Sequence, residues 1–214
     1  LTPEGQRRKH EYEKFRSQFN QYDHPELRPL AERCIVFYGS SSASVMGPPM
    51  TPTRGYNNNF TIVQNADYVL IRSEMIHDTR IIRLGHPERL PKHVRPWFGD
   101  SWGHFEGNTL VVETTNIHPL HGPREQTDKI PQSEDARAIE RFTRLDDDTI
   151  LYEFEIHDPQ TYSEVWGGQV PWRRYDDLLY EYACHEGNYA LTNVLSGARY
   201  QDRQAGRRKG VPRP

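Results

Sequence analysis

Long hydrophobic runs are missing from this sequence of 214 residues, whose hydrophobic fraction is 35% and whose mean hydropathy is −0.90. No run approaches the roughly 18 apolar residues that a membrane-spanning helix requires. The charges nearly balance, with 27 Lys and Arg against 30 Asp and Glu, so the overall charge gives no reason to expect nucleic acid or an anionic membrane as a partner. Aromatic residues are plentiful at 11%. We therefore expect one domain whose core is built from few, large side chains.

Cysteine is also scarce, since Cys34 and Cys184 are the only two. Neither lies in a CxxC spacing, which disfavours a zinc site made of thiolates. In an exported protein an even pair of cysteines suits a disulfide that closes a long loop, whereas in a reducing compartment both would more often be buried thiols. The first residue is Leu1 rather than Met, which favours a processed mature form. The residues alone leave the pairing open.

Signatures of well-known mechanisms are absent as well. The sequence contains no GxSxG elbow, no HExxH, no phosphate-binding loop and no dinucleotide fingerprint. We expect no cofactor, and nicotinamide and nucleotide chemistry lose most of their support. Ten histidines are present, but no local spacing makes a metal site, so a metal would require distant strands to converge.

Short β-rich segments separated by turn residues fill the chain after Phe60. Their spacing of about ten residues, with almost no helix between them, predicts a mainly β, antiparallel sandwich or barrel. Ten candidate strands share this pattern: Phe60–Gln64, Tyr68–Ile76, Thr79–Leu84, Ser101–Glu106, Thr109–Asn116, Arg137–Leu145, Thr149–His157, Thr161–Trp166, Gln169–Arg174 and Leu178–Cys184.

Two hairpins can be assigned a register from the sequence. A two-residue turn at Gly107–Asn108 pairs Glu106 with Thr109 and places Trp102, His104 and Glu113 together on one face. The opposite face then carries Ser101, Gly103, Phe105, Leu110, Val112 and Thr114.

In the second hairpin, a three-residue loop pairs Thr143 with Leu151. One face of this hairpin carries Glu140 among aromatic residues that include Tyr152.

Helices are expected only at the two ends of the chain. Thr2 followed by Pro3 is a typical helix start, and the first helix should continue to about Asn20. The second should run from about Tyr189 to Gln204, with Asn188 as its cap. This organisation gives an N-terminal helix and wrapping arm over residues 1–59, a β-barrel over 60–188, a C-terminal helix over 189–205 and a basic tail over 206–214.

Titratable residues are concentrated in three places. In the first, Glu74, His77, Asp78 and Arg80 lie together at a strand end, where an acid, a base and a guanidinium suit proton transfer with stabilisation of an oxyanion. An exposed, ion-paired strand end would explain the same residues.

The second concentration is the hairpin face with Trp102, His104 and Glu113, which would line a wet barrel cavity or simply face water. The third joins Glu181 to His185 and Glu186 at the junction between the last predicted strand and the helix, where free helical N–H groups favour an anion. Glu186 and Asn188 would alternatively only cap that helix.

Several segments resemble a family of uncharacterised bacterial proteins, many of which carry export signals. The matching segments are Glu74–Asp78, Gly99–Gly107, Thr109–Asn116 and Tyr180–Tyr189. The resemblance implies export to the periplasm or secretion, and with it a Cys34–Cys184 bridge, but it implies no activity. The succession of short predicted strands is also similar to that of lipocalin-like barrels, so we expect an antiparallel, lipocalin-like barrel with a helix at each end.

Small barrels hold one ligand, and we hypothesise a cofactor-independent lyase, isomerase or hydrolase that acts on a polar or aromatic cyclic molecule. In this hypothesis, Glu74, His77 and Asp78 transfer protons and Arg80 stabilises the oxyanion. The residues expected to position substrate are Trp102, His104, Glu113, Glu140, Tyr152, Glu181, His185 and Glu186. The alternatives are a periplasmic small-ligand-binding protein without turnover and a metal-dependent enzyme.

Overall fold

The computed structural model describes residues 1–36, 59–77, 79–85, 88–119 and 133–205. Among these residues, two α-helices, α1 (Pro3–Arg16) and α2 (Ala190–Gln204), flank eight strands. The strands are β1 (Phe60–Gln64), β2 (Tyr68–Ser73), β3 (Thr79–Leu84), β4 (Asp100–Glu106), β5 (Thr109–Thr115), β6 (Arg137–Arg144), β7 (Thr149–His157) and β8 (Trp166–Arg173). Residues 37–58 of the predicted arm, Asp78 and the predicted tail 206–214 lie outside the described residues. The predicted division of the chain stays a prediction.

The eight strands form one sheet in chain order. Every neighbouring pair is antiparallel except β3 and β4, which are parallel. The sheet curls into a half-barrel, and its curl brings the first and last strands together, since the Phe60 and Trp172 rings stack 4.8 Å apart. Within the described residues no backbone ladder joins β1 to β8. The mainly β, barrel-like fold with terminal helices is therefore confirmed, in the form of an open half-barrel.

Both predicted hairpin registers are confirmed. Glu106 lies opposite Thr109 across the turn at Gly107, whose φ of +63° suits glycine. Thr143 lies opposite Leu151.

The concave face of the sheet carries the hydrophobic core. The alternate residues of neighbouring strands meet there because residues opposite each other in a ladder point to the same face. The core consists of Val69, Ile71, Ile82, Leu110, Val112, Ala138, Phe142, Tyr152, Phe154 and Ile156.

Two of the ten predicted strands are wrong. Thr161–Trp166 is a turn and loop up to β8, because the backbone N–H of Thr161 bonds to the Asp158 carbonyl and its own carbonyl accepts from the Thr2 N–H. Leu178–Cys184 has no partner strand among the described residues, and Leu178 remains 76% exposed.

The predicted strand Tyr68–Ile76 ends early. It stops at Ser73 and gives way to a short 3₁₀ turn over Met75–His77. Ile76 lies within this turn with a φ of +63°, which breaks the extended backbone.

Helix α1 begins as predicted. The Thr2 hydroxyl accepts from the Gly5 N–H at 3.0 Å. Gly5 itself packs against the Thr161 backbone, where a Cβ atom would lie 2.5 Å from the carbonyl oxygen. The helix ends at Arg16, before the predicted Asn20.

Helix α2 begins at Ala190 without a side-chain cap. Asn188 is not its cap, because Tyr189 occupies the cap position and no side chain bonds to the first turn; the Asn188 amide nitrogen instead lies 3.3 Å from the Cys34 sulfur. Cys34 and Cys184 are joined by a disulfide with their Cα atoms 5.8 Å apart. This bond attaches the segment before α2 to the N-terminal arm. Within the described residues, no helix is both long and apolar enough to cross a membrane.

Candidate functional site

An ion pair lies inside the half-barrel, where Arg80 of β3 meets Glu140 of β6. The guanidinium donates to both carboxylate oxygens, with one N–H···O distance of 2.8 Å. The two side chains are 1% and 0% exposed. Arg80 and Glu140 both point to the concave face, because each is two residues away in its strand from a core residue and side chains alternate between the faces.

Three hydroxyl groups complete the hydrogen bonding of this pair. The Tyr152 hydroxyl donates to Glu140 at 3.0 Å. The Arg80 guanidinium donates to Ser101 at 2.9 Å and to Thr114 at 2.5 Å. All three hydroxyl-bearing residues are buried. The five residues, which we call the buried polar cluster, satisfy one another as buried charges require.

The electrostatics of the cluster favour a permanent charge on Arg80. Burial by itself lowers the pKa of Arg80, but the charge and hydrogen bonds of Glu140, with a further contribution from Tyr152, raise that pKa above its ordinary value. A guanidinium held in this way does not give up its proton. The cluster is therefore suited to holding charge in place rather than to transferring protons.

A large cavity, which we call the basin, opens at one end of the half-barrel. Its volume is about 1250 Å³. The basin is bounded by both edge strands and by the turns after β4 and β6. Its apolar lining consists of Phe60, Ile62, Val69, Ile71, Phe105, Leu110, Phe142, Ile150, Val170, Pro171, Trp172, Leu178 and Leu179.

Aromatic rings separate the basin from the buried polar cluster. Trp172 and Phe142 line the basin, and their ring centroids lie 5.1 and 4.9 Å from that of Tyr152. The hydroxyl of Tyr152 is bonded to Glu140. Tyr152 is thus the link between the aromatic wall of the basin and the ion pair behind it.

Charged residues surround one side of the basin. Arg144 is paired with Asp147 at 2.8 Å, and Arg174 lies 3.8 Å from Asp148. These exposed pairs leave the rim close to neutral. The charged groups of the basin therefore lie on this side, whereas its floor, which we define as the core residues Val69, Ile71, Leu110 and Phe142 with the adjoining Ile62, is apolar. Uncharged polar residues, including Gln64 of β1, complete the lining.

The structure places the residues of the first hairpin face away from the basin. Trp102, His104 and Glu113 are on the convex face, opposite the core face of β4 and β5. Glu113 pairs with Arg89 at 3.0 Å, and the same guanidinium covers the Trp102 ring at 4.4 Å. His104 is exposed. Of the two interpretations of this face, the structure matches the one in which it faces water.

The predicted strand-end cluster is brought together only in part. Arg80 is buried on Glu140, while Glu74 is partly buried and accepts from the Asn59 amide at 2.9 Å. His77 ends the 3₁₀ turn, but its side chain and all of Asp78 lie outside what the structure describes.

The third predicted concentration lies beside the disulfide. Glu181, His185 and Glu186 are exposed. Glu186 lines a second cavity of about 570 Å³, with Tyr22 and Arg28 of the N-terminal arm on its other side. Within the described part of the chain, these residues do not reach the basin or the buried polar cluster.

Three residues predicted from the sequence, Arg80, Glu140 and Tyr152, meet in space, but most residues that line the basin were not predicted. The signal was available in β1, whose uncharged sequence Phe-Thr-Ile-Val-Gln is unusual for an edge strand. Among the described residues, no group of three or more His, Cys, Asp or Glu side chains is arranged to hold a metal ion.

Comparisons with family models, with curated proteins and with solved structures find no match for the chain. The resemblance to exported bacterial proteins stays a prediction, and the function is inferred from the geometry.

Proposed function

We propose that the chain is a binding protein that holds a ligand with a large apolar part in the basin, without turnover. The observation that carries this proposal is the basin itself, with its apolar floor and its charged groups on one side. Ligand sites are typically concave and mostly apolar, with a few polar groups that orient the ligand. The aromatic wall of Phe60, Phe142 and Trp172 offers ring faces and edges for such contacts.

The acid–base hypothesis has less support than binding. Its oxyanion-stabilising residue, Arg80, is 1% exposed and fully engaged by Glu140, Ser101 and Thr114. A substrate in the basin would be separated from these groups by the Phe142, Tyr152 and Trp172 rings. Catalysis by the predicted residues stays a prediction, as does a metal-dependent reaction.

We further propose that the protein works in an oxidising compartment, either outside the cell or in the periplasm. The Cys34–Cys184 bond supports this location, because disulfides persist mainly in exported proteins. The proposed binding function does not depend on it.

Two isoleucines with similar exposure provide the test. Ile62 lines the basin and is 41% exposed, whereas Ile81 is on the convex face and is 53% exposed. An anilinonaphthalene sulfonate dye, followed by its fluorescence, should bind the wild-type chain. Ile62→Glu should weaken binding about tenfold or more because it places a charge on the apolar floor, and Ile81→Glu should leave binding unchanged. Equal effects of the two substitutions, or no dye binding at all, would refute the proposal.

A further inference from the structure

The outer edge of β1 presents backbone hydrogen-bonding groups with which no other strand of the described residues pairs. The Asn59 carbonyl accepts from the Glu74 N–H at 3.1 Å, and the Asn65 N–H donates to the Tyr68 carbonyl at 3.0 Å. In an antiparallel ladder, the residues that bond to one neighbour alternate with those that do not. The odd-numbered residues of β1 therefore bond to β2, and the N–H and C=O groups of Ile62 and Gln64 point away from it. Within the described residues, no strand pairs with these groups.

The two edges of the sheet differ in how they are protected. Strand β8 contains Gly167, Gly168 and Pro171, which weaken or block the addition of another strand. Strand β1 has no glycine, proline or charge, and Val63 is 55% exposed. Natural proteins usually protect an exposed edge with such residues. The composition of β1 instead favours pairing.

The free edge of β1 and the basin belong to the same surface. Phe60, Ile62 and Gln64 direct their side chains into the basin. Residues that lie opposite each other across a ladder place their side chains on the same face. An extended chain paired with β1 would therefore direct every second side chain into the basin, beside Phe60, Ile62 and Gln64.

We propose that the ligand of the basin is an extended peptide segment of another protein, uncharged and with alternating apolar residues, that pairs with the N–H and C=O groups of Ile62 and Gln64. This inference rests on the proposed binding function and names its ligand. Strand addition of this kind derives its affinity from main-chain hydrogen bonds and its specificity from pockets for alternate side chains. Because the Phe60–Trp172 contact brings β1 and β8 close together, a single chain fits beside β1 more readily than the sheet of a second copy.

Three peptides with the same alternation of valine and threonine test the proposal. The first is an unmodified, capped peptide of seven residues. The second is N-methylated on its valines and the third on its threonines. With the peptide antiparallel to β1 and its valines on the apolar floor, the valine amides face β1 and the threonine amides face away. The unmodified and threonine-methylated peptides should displace the anilinonaphthalene sulfonate dye from the full chain, and the valine-methylated peptide should do so about tenfold less well or worse.

Two substitutions at one position provide the matched variants. Ile62→Ala keeps the N–H that faces outward, whereas Ile62→Pro removes it and leaves the bonds between β1 and β2 in place. Peptide affinity should fall clearly further in Ile62→Pro than in Ile62→Ala, with circular dichroism confirming that both variants fold.

Equal displacement by the two methylated peptides, or dye binding without displacement by any peptide, would overturn the peptide inference and leave the binding function standing. Absence of dye binding would overturn both. A sedimentation mass that doubles with concentration, and does not in Ile62→Pro, would assign the edge to a second copy and also overturn the inference.

Discussion

Arg80 and Glu140 are 60 residues apart in the chain, yet they form a doubly hydrogen-bonded ion pair inside the half-barrel. This pair ties β3, near one edge of the sheet, to β6, near the other. Removing two charges from water is costly, and their mutual attraction compensates only when the remaining hydrogen-bonding groups are also satisfied. Here Tyr152, Ser101 and Thr114 satisfy them.

The first prediction concerns the loss of one partner of this pair. Glu140→Gln leaves the buried guanidinium of Arg80 without a counter-charge, so the free energy of unfolding should fall by about 3–5 kcal/mol. Urea unfolding followed by tryptophan fluorescence measures this change.

The double substitution Arg80→Met with Glu140→Leu is the control for this prediction, because it removes both charges at similar side-chain volume. It should recover part of the lost free energy of unfolding, because Ser101 and Thr114 still bond to each other at 2.9 Å whereas the Tyr152 hydroxyl loses Glu140 as an acceptor. A Glu140→Gln variant as stable as the wild type would show that the pair does not hold the two sides of the sheet together.

The second prediction concerns the docking of helix α1. Alanine normally stabilises a helix interior by about 1 kcal/mol relative to glycine. At Gly5 the new Cβ would lie 2.5 Å from the Thr161 carbonyl oxygen, so Gly5→Ala should push α1 away and increase amide exchange at Thr2 and throughout α1. Gly197→Ala in α2 is the matched control, because nothing lies within 4 Å of its Cβ position. The idea fails if both substitutions stabilise the protein equally.

The strands and their registers were largely predictable, because local turn chemistry and alternation determine them. The turn at Gly107 and the loop from Asp146 to Asp148 were enough to predict the registers of two ladders. Thr161–Trp166 was misassigned because its backbone groups bond within a turn and to Thr2, which lies far away in the sequence.

The candidate site was less predictable. The alternation of side chains along paired strands places Glu140 and Tyr152 on the same face of the sheet. Alternation does not show which face is concave, so the sequence could not assign the Trp102 side of β4 to the inside or the outside of the half-barrel. The basin depends on the curl that brings Phe60 to Trp172, and curl is a property of the whole sheet rather than of any segment.

The third prediction concerns the disulfide. The Cys34–Cys184 bond closes a sequence separation of 150 residues, and for loops of this length a chain-entropy model gives a stabilisation of about 4–5 kcal/mol. Helix α2 has no buried residue of its own. Reduction, or the double substitution Cys34→Ser with Cys184→Ser, should lower the free energy of unfolding by up to about 4–5 kcal/mol. It should also expose the Ala190–Gln204 segment to trypsin. Unchanged stability together with a protected α2 would contradict this role.

The fourth prediction concerns pH and the turn between β6 and β7. The Asp146 carboxylate accepts from the Asp148 N–H at 2.9 Å, and this bond, followed by those from Thr149, lowers the pKa of Asp146 below its ordinary value of 3.8. A carboxyl group whose pKa is lower in the folded state contributes stability above the pKa of the unfolded chain, and that contribution is lost as the pH falls through the folded value. Asp146→Ala should therefore be less stable than the wild type by a constant amount at pH 5–7, and the difference should shrink once the pH falls below 3.8 and disappear below the folded pKa of Asp146. Asp177→Ala removes a carboxylate from the same rim without a turn hydrogen bond, and it should leave the free energy of unfolding nearly unchanged across this range. Urea titrations at a series of pH values provide the measurement, and a difference between wild type and Asp146→Ala that grows on acidification would show that the charged turn does not stabilise this end of the half-barrel.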